Sequence, residues 1–466
     1  MLLKNAKIYS DGLVQNGVIL IASSGIKTVI FNPTDKDYIT LAKNNEDNEE
    51  INCDNKLILP GIIDIHSHLR DMGQSEKETF LTGTKAAAYS GITTVFNMPN
   101  TKPPAITGEF IKKWMEKAST NIYVNVGFIA GVPNDINEDE IKKIIKLGVI
   151  GFKIYPLSPL NNIDWNNPDS IQKILKISSR YQVPIFLHAA FPISESEKNT
   201  LLTEINTQKC PTLELHDRLN PIKMERNYIE FIVDNYKKFV DTNELNPQYY
   251  PILHFCHVSC IEGYQIIQNA IKSDNNLKIT FEITPHHLIL SYGIKLKRDT
   301  YGKVLPPLRS SENTNFLFNM LVEGNIPLIG SDHAPHAIEE KNQEFLDAPS
   351  GFPGFDTYPL VLLDKVFNFK LALEQFVKSS SENPARIFNL NKKGFIREGY
   401  DADLMIIDKV LQYPIKAQNF KSKAKFSPFE NQNSAVKIWK VFLKGKEINN
   451  EKINPIGNII KASYKI

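Results

Sequence analysis

Apolar positions along the chain come in short runs separated by glycine, proline and polar clusters, and their spacing changes with position. Near the N-terminus, Ala6–Tyr9, Val18–Ala22 and Thr28–Phe31 are brief and rich in β-branched or aromatic residues. With the polar run 43–50 behind them, they predict strands of a small sheet joined by a solvated loop. Leu404–Ile407 and Val436–Leu443, with a turn at Lys444-Gly445-Lys446, read the same way near the other end. Strand-rich segments at both ends of an α/β centre predict a single β-sandwich built by both termini.

In the centre, apolar strand-like runs at Leu57–Ile65, Thr93–Met98, Tyr123–Ile129, Ile150–Tyr155, Pro184–His188, Ile252–His257, Lys278–Ile283 and Pro327–Gly330 alternate with helical patterns. Ser75-Glu-Lys-Glu78 reads as a capping box opening a helix that stops near Gly91, Asn137 opens another that ends at Gly148, and Asn167-Pro168 starts a third. Eight alternating units predict a parallel sheet closed as a (β/α)8 TIM barrel. The interval 191–250 exceeds one βα connection and is expected to be a helical insertion, with Pro221–Lys238 helical. The expected division is 1–56 and 393–466 for the β-sandwich, the latter ending in a tail, and 57–392 for the barrel.

Composition narrows the function classes. Among 466 residues, 54 Lys+Arg against 52 Asp+Glu leave a net charge of +2, so bulk electrostatics give no reason to expect nucleic acid or a membrane surface as partner. No apolar stretch reaches the roughly 18 residues of a membrane span. The N-terminus lacks a signal peptide's order, and Cys53, Cys210, Cys256 and Cys260 have no CxxC spacing. Reduced thiols, no zinc-thiolate site and a cytoplasmic address are the expectations, with a small molecule as partner and a homo-oligomer left open.

Chemistry concentrates where the barrel strands end. Strand alternation puts His66 and His68, spaced i, i+2, on one face at the end of the first run. Lys153 lies on the fourth, His188 and His257 end the fifth and sixth, and Asp332 follows the eighth. Barrel active sites sit at the C-terminal rim, so these six groups converge as a candidate metal site. A protonated lysine cannot ligate a cation; a carbamate on its nitrogen would supply two bridging oxygens. His216 is expected to be solvated, His254 and His333 to be weaker site candidates than their neighbours His257 and Asp332, and His286 and His287, at the end of the seventh run, to stand behind the ligands, at least one of them as a packing residue.

The order HxH, Lys, His, His, Asp resembles the amidohydrolase superfamily. Asp64-Ile-His-Ser-His-Leu-Arg70, Lys77-Glu-Thr79, Gly83–Ala88, Asn97-Met-Pro-Asn-Thr-Lys-Pro103, Cys256–Ser259, Thr284–Leu288, Ser331-Asp-His-Ala-Pro-His336 and Ser427–Glu430 narrow the likeness to the dihydroorotase branch of the cyclic amidohydrolases. The resemblance implies two zinc ions per chain, His66, His68 and Asp332 on one and His188 and His257 on the other, bridged by carboxylated Lys153 and a hydroxide. It implies Asp332 as proton shuttle and Arg70, Asn100 and His336 as substrate anchors. The implied activity is reversible cyclisation of N-carbamoyl-L-aspartate to L-dihydroorotate in pyrimidine synthesis. The alternatives are an allantoinase or hydantoinase-like amidohydrolase, or a non-catalytic scaffold. Departures from the family pattern are Leu305 where many members have Asn, Ala190 for a frequent acidic residue, and Asp71-Met72 for Glu-Pro. Gly351-Phe-Pro-Gly354 resembles a loop that presents backbone groups to the ring.

Overall fold

A computed structural model describes residues 1–45, 49–207 and 212–464; part of the polar run 43–50, and Cys210, lie outside them. Eight parallel strands follow one another in chain order, each beside the last. They are β1 (Ile62–Ser67), β2 (Ile92–Asn97), β3 (Asn125–Gly131), β4 (Gly151–Ile154), β5 (Ile185–Leu187), β6 (Ile252–Phe255), β7 (Lys278–Ile283) and β8 (Leu328–Ile329). A bridge between Ser67 and His333 and the bond from His68 N to His333 O (2.8 Å) bring the last strand back to the first. The expected barrel is present. Its strands are buried almost throughout, with Lys278, Thr280 and Ile252 only partly so. A parallel sheet covered on both faces gives continuous apolar runs of this kind.

The other sheet has eight strands in one ladder: 446–447, 433–443, 404–414, 57–60, 2–10, 13–22 and 25–31 in spatial order, with 50–52 beside 2–4. Leu3, Ile8, Ile19, Ile58, Leu404, Ile406 and Phe442 form its own apolar cluster, and the helix Asp35–Lys43 puts Leu41 on a second cluster with Leu2, Val18 and Leu20.

Three local expectations differ from the structure. Leu57–Ile65 is two strands, because Leu57–Pro60 pairs antiparallel with Leu404–Ile407 while Ile62 begins the barrel. The chain crosses at Gly61, where a Cβ would stand 2.4 Å from Thr93, so only glycine fits. The first barrel helix is Phe80–Tyr89, capped by Thr79 and not by Ser75. Ser75 Oγ instead donates to Asp71 (2.7 Å), and Glu78 accepts from Thr82, Ser422 and the Lys423 N–H. The helices starting at Glu138 and Pro168 carry the expected asparagine caps.

The insertion holds helices Glu195–Thr207, Thr212–Leu219 and Ile222–Thr242. His216 is buried there, donating from Nε2 to Val304 O (2.8 Å) and accepting at Nδ1 from Asn220 (3.3 Å). Its expected solvation fails because the short helix packs this ring onto the loop that follows β7.

Candidate metal and substrate site

At the C-terminal rim a cavity of about 340 Å³ is lined by His66, His68, His188, His257 and Asp332, with Arg70, Asn100, Tyr155, Leu305, His336, Ser350 and Gly351 around them. His66 Nε2 and His68 Nε2 stand 3.4 and 3.1 Å from Asp332 Oδ1, and the donor atoms of this trio all lie within 4.8 Å of one another. His188 Nδ1 and His257 Nε2 are 3.0 Å apart, and the His257 ring centre is 5.1 Å from that of His66. Two adjacent donor groups therefore face one space. Arg70, His257 and Asp332 hold φ of 58°, 37° and 46°, a left-handed backbone that non-glycine residues adopt only when their surroundings impose it.

Lys153 is buried beneath this rim, its Nζ without a hydrogen-bond partner and 5.2 Å from the Tyr155 ring centre. Burial and then the Lys153 charge push His188 down to about 3; His257 is pushed well below its usual range by burial, the His188 ring and Lys153. His68 is held at about 4, mainly by burial. These rings are neutral, with lone pairs available. Burial opposes ionisation of Asp332, but the His66 ring and the His68 hydrogen bond hold it well below the usual carboxylate range. Three neutral imidazoles, a carboxylate and an orphaned buried amine are a donor set that fits divalent metal.

Behind the rim, His66 and His68 are each aimed by a partner. His66 Nδ1 contacts Glu282 Oε1; burial works against the charged ring, but this carboxylate raises His66 to about 10. The other oxygen of Glu282 meets His254 Nε2 at 3.2 Å, and His254 Nδ1 meets Thr280 at 2.9 Å. A carboxylate on the far nitrogen of a ligating imidazole fixes its tautomer and strengthens it as a ligand. His68 Nδ1 donates to Asn100 Oδ1 (2.6 Å), which leaves Nε2 for the cavity. Asp64 accepts from the N–H groups of His66 (3.2 Å) and Ser331 (2.9 Å), tying β1 to the segment that carries Asp332. A Cβ at Gly330 would stand 2.7 Å from Glu282, so this crossing needs glycine. Cys256, expected to be uninvolved, forms a second compact group of possible ligands with His66 and Glu282.

Arg70 is nine-tenths buried. It donates to Pro335 O (3.2 Å) and approaches His336 Nε2 (3.3 Å), and no carboxylate of the described residues lies within 4 Å of it. Burial and the Arg70, Lys77 and Lys341 charges keep His336 neutral; Nε2 faces Ser350 O (3.1 Å) and Nδ1 faces Lys77 (3.2 Å). His333 takes a packing role: Nδ1 accepts from the N–H groups of Gly354 (3.1 Å) and Phe355 (3.3 Å), and the ring stacks on Phe355. His287 is satisfied by Thr284 (2.8 Å) and Pro306 O (3.2 Å), while His286 Nε2 is buried without a partner. Glu282 and Asp64 escape a search confined to strand ends. A charged residue inside the apolar run Leu277–Ile283 is the signal that marks Glu282.

Residues 57–448 match the model of the amidohydrolase family. The chain is 34% identical over 445 residues to the dihydroorotase of Methanosphaera stadtmanae, covering 93% of this chain and 92% of that one. It is 32% identical over 462 residues to the dihydroorotase of Staphylococcus epidermidis, covering 97% and 99%. Among solved structures, the L-hydantoinase of Arthrobacter aurescens superposes with a TM-score of 0.84 at 24% identity, over 99% of both chains. The D-hydantoinase of a Thermus species gives 0.81 at 21%, again over 99% of both.

Proposed function

The chain belongs to the amidohydrolase family, and from that premise we propose that it is a dihydroorotase, a metal-dependent cyclic amide hydrolase interconverting L-dihydroorotate and N-carbamoyl-L-aspartate. One observation carries the choice of substrate: a nearly buried guanidinium, Arg70, lines the cavity with no acidic partner of its own. Asp332 and Glu340 act on it only from beyond pairing distance; a buried cation with no paired carboxylate is costly, and a substrate carboxylate would supply that partner through a two-pronged hydrogen bond. A hydantoin or allantoin ring has no carboxylate to offer.

Two zinc ions are the metals proposed, with His66, His68 and Asp332 holding one, His188 and His257 the other, and Lys153, as a carbamate, bridging them. The orphaned Lys153 Nζ supports this modification, because a carbamate replaces an unpaired ammonium by an anion among neutral imidazoles. When bound, such metals lower the pKa of water to near neutrality and polarise a carbonyl. The protein's own groups do the rest. Arg70 and His336 fix the carboxylate end of the ring, and Asn100, through His68 Nδ1, keeps that imidazole turned toward the cavity. Asp332 takes the proton of the attacking water at its carboxylate and delivers it to the ring nitrogen as the C–N bond breaks. Cyclisation runs the same transfers backwards. Leu305 meets the ring as an apolar wall.

Residues 57–392 are proposed as the catalytic unit, with 1–56 and 393–466 as one β domain and a tail; Leu57–Pro60 also lends its strand to the β domain, and Ile459–Ile460 of the tail pairs with β3 of the barrel. No described helix is long and apolar enough to cross a membrane. A cytoplasmic setting is in keeping with the free thiols of Cys53, Cys256 and Cys260.

The test is turnover of purified, zinc-loaded protein in both directions. Conversion of dihydroorotate is expected; none, alongside clear conversion of allantoin or a hydantoin, overturns the assignment. Lys153→Ala is expected to lose zinc and activity together, and unchanged zinc content would show that another group bridges.

A further inference from the structure

Two lysines with no catalytic duty lie under one wall of the cavity. Lys341 is wholly buried and Lys303 is 7% exposed. No carboxylate of the described residues comes within 4 Å of either ammonium; Asp347 and Glu340 act only from farther away. Main-chain carbonyls surround them instead. Lys303 Nζ donates to the carbonyls of Phe345 (2.6 Å), Leu346 (2.9 Å) and Ala348 (2.6 Å). Lys341 Nζ donates to those of Pro349 (2.8 Å), Gly351 (3.0 Å) and Lys303 itself (3.4 Å). The Gly351 N–H closes the ring of contacts on Lys303 O at 2.8 Å. Each ammonium has three N–H groups and each finds a carbonyl.

This arrangement is expensive, and its cost calls for a function. Burial, then the nearby Lys303 charge, brings Lys341 down to about 7. An apolar side chain would fill either place without that penalty, and exposed loops are ordinarily left loose. What the two ammonium groups do is gather five of the seven carbonyls of the irregular segment 345–351 onto two points. The end of that segment, Ser350 and Gly351, lines the cavity and receives the His336 imidazole.

We propose that Lys303 and Lys341 are positioning residues, a paired ammonium clamp that holds the 345–351 segment as the wall against which the substrate ring is bound. The proposal rests on the cavity being the dihydroorotate site, the reading given above. It deepens that reading by making substrate affinity depend on two residues that touch neither metal nor substrate.

Lys303→Met and Lys341→Met keep the volume and remove the donors; Lys303→Gln and Lys341→Gln, which retain N–H groups, serve if a methionine variant does not fold. Hydrogen exchange of the 345–351 amides, read without substrate, is expected to quicken by about tenfold or more in the variants, as local opening loses its hydrogen bonds. The KM for dihydroorotate is expected to rise by about tenfold with a smaller change in kcat and unchanged zinc content, and glutamine is expected to recover part of the loss. Unchanged exchange in both variants overturns the clamp, as does faster exchange with an unchanged KM. Lack of dihydroorotate turnover by the unmodified protein would overturn the functional reading alone, since the exchange arm needs no substrate.

Discussion

Arg70 separates the metal chemistry from the choice of substrate. It sits two residues after His68 with a left-handed backbone, so the chain turns sharply there and aims the guanidinium into the cavity the histidines line. Arg70→Gln is expected to keep zinc and fold while kcat/KM for dihydroorotate falls by about 10²-fold, roughly 3 kcal/mol for a charged group left without its partner. A neutral ring such as dihydrouracil should be nearly indifferent. Survival of dihydroorotate turnover within a few-fold would show that the carboxylate is read elsewhere. Strand-end position makes His66, His68, His188, His257 and Asp332 legible in the sequence, because barrel sites form at that rim, although only His66 lies inside its strand and the left-handed turns at His257 and Asp332 are imposed by their surroundings. Glu282 illustrates the opposite case. Its effect on His66 arises from a contact between strands 216 residues apart, and one chain read alone does not reveal which carboxylate will meet which ring. Replacing Glu282 by Gln is expected to weaken zinc retention about 10–100-fold against a chelator, the usual consequence of removing a ligand's outer partner; unaltered retention would deny Glu282 that part.

At the scale of elements, the insertion is tied to the rim by charge as well as by packing. Glu225, near the start of Ile222–Thr242, accepts from the Ser259 N–H (2.8 Å) and pairs with Arg309 (3.2 Å), which also reaches Asp217 (2.7 Å). His216 adds a pH-dependent fastening. Its pKa falls from 6.5 to about 4, chiefly through burial, so between those values the unfolded ring binds protons that the folded one does not. Stability therefore increases with pH across that window and is lost as pH falls through it, on the order of 3 kcal/mol when complete. Limited proteolysis of residues 191–250 is expected to accelerate steeply from pH 6.5 to pH 4, and His216→Gln to flatten that profile; an equally steep profile in the variant would remove His216 as its source. The helical nature of the insertion is readable from its periodicity, but the burial of His216 is not, since the surface that covers it is the loop after β7. Likewise Ser75-Glu-Lys-Glu78 has the letters of a capping box, yet its side chains are taken by tertiary partners and the helix waits for Thr79.

Of the places where the chain passes between its two sheets, the one at Gly61 leads directly into metal-ligand candidates. Leu57–Pro60 lies between 2–10 and 404–414 in the ladder, and after Gly61 the same chain becomes the strand that carries His66 and His68. The sequence hides this division, because an unbroken apolar run suits a strand buried on both faces in either sheet. That the termini share a domain is readable, since neither end alone has enough strands to cover its apolar face. The consequence is a prediction about fragments. Deleting residues 1–52 removes Leu3, Ile8, Ile19 and Ile21 from the β-domain cluster, at about 1.5–3 kcal/mol for each fully buried side chain, and strips one edge of Leu57–Pro60 of its partner. The truncated chain is expected to aggregate and to hold little zinc although every ligand candidate remains in it. Supplying 1–55 as a separate polypeptide during refolding should restore solubility and zinc together, because the lost strand pairs by main-chain hydrogen bonds that need no covalent link. A soluble 53–466 fragment with full zinc content and an unchanged melting temperature would mean that the barrel holds its rim without the β domain, and that the strand before His66 is a connector and not a support.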